Sequence, residues 1–471
     1  MQFPSIYWNC ACLITNSGGN EDAEEEENDN TRNDKNDESA ISELVSLSDS
    51  NDNSNDESEE EETDQKNKKK ARNTNYGKIA TAIGTMQQKG VLLSPPDINK
   101  SPFTFVPDRE QGKILYGIKG INRIGDDLVN QIINNRPYTS IKDFLSKVKV
   151  NKPQMVILIK SGAFDSFGKD RITIMRDYID SITDKKKRLT LQNMQMLIKY
   201  NLLPKEFTFE IKVYNFNKYL KKCKTESYYY LDEIAFYFYE QNFDMDLVEF
   251  KDRPLIKQTD WDSIYNIKMN VIRAYLKANK DEILEELNKA LFNENWEKYC
   301  LGNISKWEMD SISFYLHRHE LADIKDSTYN ICDFNKLPEE PELDHFIFIG
   351  DKQVPLFKLH RIAGTVLDKN KAKNSISLLT KYGVVNVKIY QAQFAKYDKQ
   401  ISERLPDGAK KIVEKSWFTR GNKLLLTGIR RGDQWVIKTY KSSQYKHPIQ
   451  LITNIFEDGT LEIQNTRTLE D

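Results

Sequence analysis

Residues 114–171 read ILYGIKGINRIGDDLVNQIINNRPYTSIKDFLSKVKVNKPQMVILIKSGAFDSFGKDR. Two short helix-turn-helix units stand in this stretch, each turning through a glycine. In the first, a helical run ending near Gly120 leads through Asn122-Arg123-Ile124-Gly125 to a helix that starts at Asp126 or Asp127. That helix carries Leu128, Val129, Ile132 and Ile133 on one face at helical spacing. In the second, Val156-Ile157-Leu158-Ile159 runs into Lys160-Ser161-Gly162-Ala163, with Phe164 and Phe167 as apolar anchors beyond the turn. The pair reads as a tandem helix-hairpin-helix.

Such a unit has a simple chemistry. A glycine turn lets backbone approach a phosphate, and the free N–H groups of the next helix start point at it. Contacts of this kind hold a sugar-phosphate chain without reading bases. Asp126 and Asp127 stand against this, because carboxylates in the first turn satisfy the helix dipole themselves and repel an anion. An ordinary helical hairpin with a glycine turn fits the same pattern.

The stretch resembles the tandem helix-hairpin-helix region of the bacterial DNA polymerase III alpha subunit. The resemblance rests on Tyr116-Gly117-Ile118, Ile121, Ile124-Gly125, Arg136 with Phe144, and above all the run from Leu158 to Asp165 followed by Arg171. The resemblance implies DNA contacts at Arg123, Ile124, Gly125, Lys160, Ser161, Gly162, Ala163 and Arg171. One departure is Arg123, where the family usually has glycine: a side-chain phosphate contact replaces a backbone one there, or the first hairpin is weakened as a DNA site.

The chain of 471 residues is long enough for about three domains. It contains no apolar run of transmembrane length and no secretory signal, so no membrane is expected. Five scattered cysteines form neither a disulfide framework nor a zinc set, and a reducing cytoplasm, in a bacterium or a phage-infected host, is the expected compartment. The net charge of −2 conceals a split. From Glu21 to Asp64 there are 20 Asp and Glu against Arg32 and Lys35, a charge of −18; the remainder holds 67 Lys and Arg against 51 Asp and Glu, or +16. A basic body fits a polyanionic partner, and solvated surface lysines account for the excess equally well.

The expected fold class is a multidomain α+β chain, mainly helical over its N-terminal two-thirds and ending in a small all-β OB-fold barrel. Residues 1–17 and 75–110 resemble the end of the polymerase fingers. Residues 18–74 read as an acidic disordered insertion, too poor in apolar surface to offset its ordering entropy. Residues 111–182 form the hairpin domain, 183–336 a mainly helical connecting region, and 337–345 a linker. The barrel spans 346–445 and a C-terminal tail 446–471.

The barrel rests on five strands, Lys358–Leu367, Ser375–Thr380, Val384–Tyr390, Lys423–Arg430 and Gln434–Thr439, with a longer connection after the third. Tyr382, Tyr390, Phe394 and Trp435 offer rings to bases, with Lys373, Lys381, Arg430 and Arg431 near phosphates. The alternative is that the aromatics fill the barrel. Lys185-Lys186-Lys187-Arg188 is a further basic cluster, read either as a phosphate site or as a solvated helix end, and His317 with His319 lacks a third metal ligand nearby.

In the family the palm aspartates that hold Mg²⁺ precede the fingers. Asp244 and Asp246 follow the hairpins and are wrongly placed for that role, so no catalytic or metal residue is assigned and the chain alone is expected not to polymerise. The resemblance implies these partners: primer-template DNA, single-stranded DNA, a separate palm-bearing polymerase segment that uses Mg²⁺ as a nucleotidyltransferase, and a sliding clamp. Gln195-Met196-Leu197 is the candidate for the clamp peptide. The alternative is a stand-alone, non-catalytic DNA-binding protein.

Overall fold

A computed structural model describes residues 5–19, 74–223, 227–349, 351–405, 410–441 and 443–468. The disorder expected of the acidic insertion falls almost wholly outside them. The chain divides into two compact units, Met1–Arg171 with Gly302–Asp471, and Ile172–Leu301.

The first unit opens with helix α1 (Ser5–Ile14) and α2 (Tyr76–Gln88). The Asn75 side chain caps α2 by accepting from the Lys78 N–H at 3.0 Å, as short polar side chains do at helix starts. The Asn75 N–H donates to the Asn16 carbonyl at 2.9 Å, so the chain leaves and returns at one point. A small sheet follows, of β1 (Leu92–Leu93), β2 (Val106–Asp108) and β3 (Lys113–Leu115) in the order β1-β3-β2. Then come α3 (Asp126–Asn134), α4 (Ile141–Lys147) and α5 (Lys152–Lys160). Asn151 and Gln154 form a capping box on α5. Beneath these helices Phe144 takes edge-to-face contacts with Tyr138 at 5.0 Å and Phe164 at 5.2 Å, a small aromatic core.

Helix α6 (Arg171–Ile182) leads into the second unit, which holds α7 (Met194–Lys199), α8 (Thr208–Tyr219), β4 (Lys221–Lys222) and β5 (Tyr228–Tyr230). It continues through α9 (Glu233–Asn242), β6 (Val248–Phe250), β7 (Pro254–Lys257), α10 (Gln258–Ala278) and α11 (Lys280–Cys300). Tyr229 and Ile256 from the sheet and Tyr239, Trp261, Met269 and Leu287 from the helices share one core.

The chain re-enters the first unit with α12 (Ile304–Ile312), α13 (Asp326–Tyr329) and the hairpin β8 (Leu343–Ile349) and β9 (Lys352–Phe357). The barrel strands are β10 (His360–Asn370), β11 (Ser375–Thr380) and β12 (Gly383–Lys388). Helix α14 (Gln391–Asp398) and the hairpin β13 (Ile401–Arg404) and β14 (Lys410–Glu414) precede β15 (Lys423–Arg431) and β16 (Gln434–Ile437). Strand β10 pairs with both β11 and β15, and β12 runs parallel to β16, closing five strands in the order β10-β11-β12-β16-β15. This is an OB-type barrel, and Val366, Leu378, Val387, Leu426 and Trp435 fill it.

Three expected boundaries change. The linker over 337–345 already contains the start of β8 at Leu343. The expected tail carries β17 (Ile449–Ile455) and β18 (Leu461–Gln464), and β17 pairs with β15. The reason is apolar: Leu425 of β15 points away from the barrel interior and needs Ile452 of β17 to cover it. The connecting region 183–336 is cut at Leu301, since residues 302–336 belong with hairpins and barrel. It also contains the four-stranded sheet β4-β5-β7-β6, which the helical reading did not anticipate.

Candidate nucleic-acid interface

The first hairpin is an exposed, braced turn. Asn122 is buried: its backbone N–H donates to the Ser311 carbonyl at 2.7 Å and its side-chain amide to the Asp310 carbonyl at 2.7 Å. Ile124, also buried, anchors the loop from below. Arg123 between them is exposed and takes φ +62°, a left-handed conformation that glycine accepts freely and arginine only with strain. Gly125 heads α3 with no side-chain cap and with open space where a Cβ would stand. The helix start therefore faces outward with N–H groups to offer. Of the two carboxylates there, Asp126 is already neutralised by Lys119 at 2.6 Å.

The second hairpin is turned inward. Gly162 has φ +82°, and its N–H donates to the Ile159 carbonyl at 3.0 Å, while Ser161 and Ala163 donate to Ile157 and Leu158. The N–H groups expected to meet a phosphate are thus spent within the chain. Lys160 is buried beside Asp310 at 3.2 Å. Arg171 is buried between Asp165 at 2.6 Å and Glu308 at 3.2 Å, and it donates to the Lys160 carbonyl at 3.0 Å. An added Cβ on Gly162 would stand 2.3 Å from this guanidinium. So Lys160 and Arg171 join the hairpin to α12, while Ser161, Gly162 and Ala163 close its turn. Lys160 and Arg171 follow one logic, a buried cation satisfied by carboxylates and carbonyls.

The barrel sorts its candidates in the same way. Lys373 and Arg431 are exposed on the β10–β11 and β15–β16 turns. Arg430 is consumed by the preceding chain segment, donating to the Leu337 carbonyl at 2.6 Å and the Phe334 carbonyl at 3.2 Å with its charge over the Phe334 ring. Lys381 and Tyr382 both bind Asp326, at 2.7 and 2.6 Å. The carboxylate pushes the Tyr382 hydroxyl pKa up to about 12. Nothing local in the sequence marks Asp326 as the anchor of two residues more than fifty positions away. Trp435 and Phe394 are barrel core, so they are not stacking surfaces, whereas Tyr390 is exposed.

Helix α2 lies on the outer face of β10, β11 and β12, the barrel face that OB-folds commonly give to single strands. A Cβ on Gly84 would meet Val384 at 2.3 Å, and one on Gly383 would meet the Gln88 side chain at 1.5 Å, so the approach is as close as backbone allows.

Of the basic cluster after α6, Lys187 and Arg188 are exposed. Lys185 is paired with Asp180 at 2.7 Å and Lys186 with Asp184. Leu197 is buried in the core of the second unit, which hides the clamp-peptide candidate. Asp244 spends a carboxylate oxygen on the Asp246 N–H at 3.0 Å as a turn cap. His317 binds Glu308 at 2.6 Å and His319 the Leu379 carbonyl at 2.9 Å.

A helix-hairpin-helix motif family matches residues 90–174. The probable DNA polymerase YorL of Bacillus subtilis (strain 168) is 37% identical over 481 residues, covering 99% of this chain and 33% of its own. The DNA-directed DNA polymerase of Bacillus phage SPbeta gives the same values. The DNA polymerase III subunit alpha of Campylobacter jejuni is 32% identical over 127 residues, 25% of this chain and 10% of that protein. The chain is thus similar over nearly its whole length to a segment of the first two polymerases, and over about a quarter of it to the polymerase III alpha subunit. It spans a third of the length of the first two relatives. The matched helix-hairpin-helix stretch includes both hairpins described above. Among the described residues, no helix is long and apolar enough to cross a membrane.

Proposed function

We propose that this chain grips primer-template DNA for a replicative polymerase whose palm carboxylates, with their Mg²⁺, lie on a separate segment. The observation that carries the reading is the exposed, uncapped start of α3 at Gly125, braced from behind by Asn122 and flanked by Arg123. The duplex backbone is held there, without base readout. Lys373 and Arg431 on the barrel turns serve the single-stranded template, because the outer β11–β12 face carries α2. A sliding clamp is a further proposed partner, to which no residue is assigned.

Two measurements test this. Arg123→Glu is expected to weaken primer-template affinity by about tenfold and to reduce the salt slope by about one counterion, without loss of folding. Unchanged affinity removes the hairpin as the DNA site. Primer extension with Mg²⁺ is expected only when a palm-bearing polypeptide is added. Extension by the chain alone overturns the division of labour. Duplex binding without extension in either case identifies a non-catalytic DNA-binding protein.

A further inference from the structure

The sheet of the second unit has two unlike faces. Strands run in the order β4-β5-β7-β6, all antiparallel, with Ile256 of β7 opposite Tyr229 on one side and Val248 on the other. These three are buried in the core of that unit. Alternation puts Tyr228 and Tyr230 on the other face. Across from them stand Lys257 and Leu255, and Lys221 lies opposite Tyr230. Both tyrosines are half-buried, while Lys221, Lys251, Arg253 and Lys257 are exposed.

Two of the cations lie over the rings. The Arg253 guanidinium lies 4.4 Å from the Tyr230 ring centre and the Lys251 ammonium 4.8 Å from that of Tyr228. Among the described residues the carboxylates near these cations are Glu249, which accepts from the Tyr228 hydroxyl at 2.9 Å and pairs with Lys257 at 3.2 Å, Asp252 in the β6–β7 turn, Asp232 near Lys221 and Asp260 near Lys257. The Tyr228 hydroxyl is thus tied down. Tyr228 and Tyr230 are two residues apart on one strand, about 7 Å, so two successive splayed bases each find a ring.

We infer that this face is a platform for single-stranded nucleic acid, with bases stacking on Tyr228 and Tyr230 and phosphates held by Arg253, Lys257 and Lys221. Aromatic rings on an open sheet face, ringed by cations, bind unpaired bases because every base has a stacking surface and every linkage an anion. A duplex has no free base face to offer and is a poor fit. The inference does not depend on the first hairpin as a DNA site.

The test uses the full chain carrying Arg123→Glu, so that failure of the hairpin proposal and failure of this one are distinguishable. A fluorescent oligo-dT is titrated, and an oligonucleotide containing 5-iododeoxyuridine is photocrosslinked and the adduct mapped. The expected adduct is at Tyr228 or Tyr230. Tyr230→Ala is expected to weaken binding at least fivefold, Tyr230→Phe to leave it within twofold, and Lys257→Glu to weaken it in a salt-dependent way. Adducts found only elsewhere, equal competition by duplex, or full affinity in folded Tyr230→Ala would each overturn the inference. Selective binding of an acidic peptide in place of oligo-dT would overturn it too.

Discussion

At Gly162 and Arg123 the two hairpins use the same left-handed backbone for opposite ends. Gly162 is held at φ +82° with the Arg171 guanidinium filling the space a side chain would need. Gly162→Ala is therefore expected to cost at least about 2 kcal/mol, from backbone strain and from displacing a buried cation off its carboxylates. Urea unfolding measures it, and duplex affinity of the folded variant should change far less than that of Arg123→Glu. Arg123 accepts a similar backbone cost on the surface, where its guanidinium is available to a phosphate. Both positions were readable as turn residues from the sequence. Which of them faces solvent was not, because that depends on Glu308 and Asp310, over 130 residues further along.

At the scale of elements, α2 and the barrel form one packed interface with glycines where the two approach. Alanine in a helix normally gains about 1 kcal/mol over glycine. At Gly84 the added methyl meets Val384 at 2.3 Å, so Gly84→Ala is expected to lower stability by about 1–2 kcal/mol instead. A rise in the urea midpoint would show that the helix sits more loosely against the strands. His319 joins the segment after α12 to β11, with Nε2–H donating to the Leu379 carbonyl and Nδ1 accepting from the Leu321 N–H at 3.0 Å. Burial lowers its pKa from 6.5 to about 4. The unfolded ring takes up a proton below about 6.5 and the folded ring only near 4, so stability present above pH 6.5 is lost as pH falls to about 4. The loss is at most about 3 kcal/mol. His319→Asn should flatten that part of the stability-against-pH curve; an unchanged slope assigns it to other groups.

For the whole molecule, the acidic tract is the largest question of charge. Asn16 and Asn75 meet at 2.9 Å, so deleting residues 21–64 is expected to leave the fold intact. It removes a charge of −18 and should tighten DNA binding at low salt, with the gain fading as screening shortens the Debye length. Anisotropy titrations at several salt concentrations measure this, and weaker binding after deletion would instead make the tract part of the interface. By itself the sequence determined the hairpin motif, the five barrel strands and the polymerase kinship, because local periodicity, glycine turns and the run from Leu158 to Asp165 are properties of neighbouring residues. Tertiary structure alone decided which cations are free. Lys160, Arg171, Lys381 and Arg430 look like phosphate ligands in the chain. They are consumed by carboxylates and carbonyls brought from 55 or more positions away in most cases. It also decided that α2 covers the barrel's outer face and that Tyr228 and Tyr230 share an open one. Burial and strand register are set by distant partners, and no spacing within a segment records them.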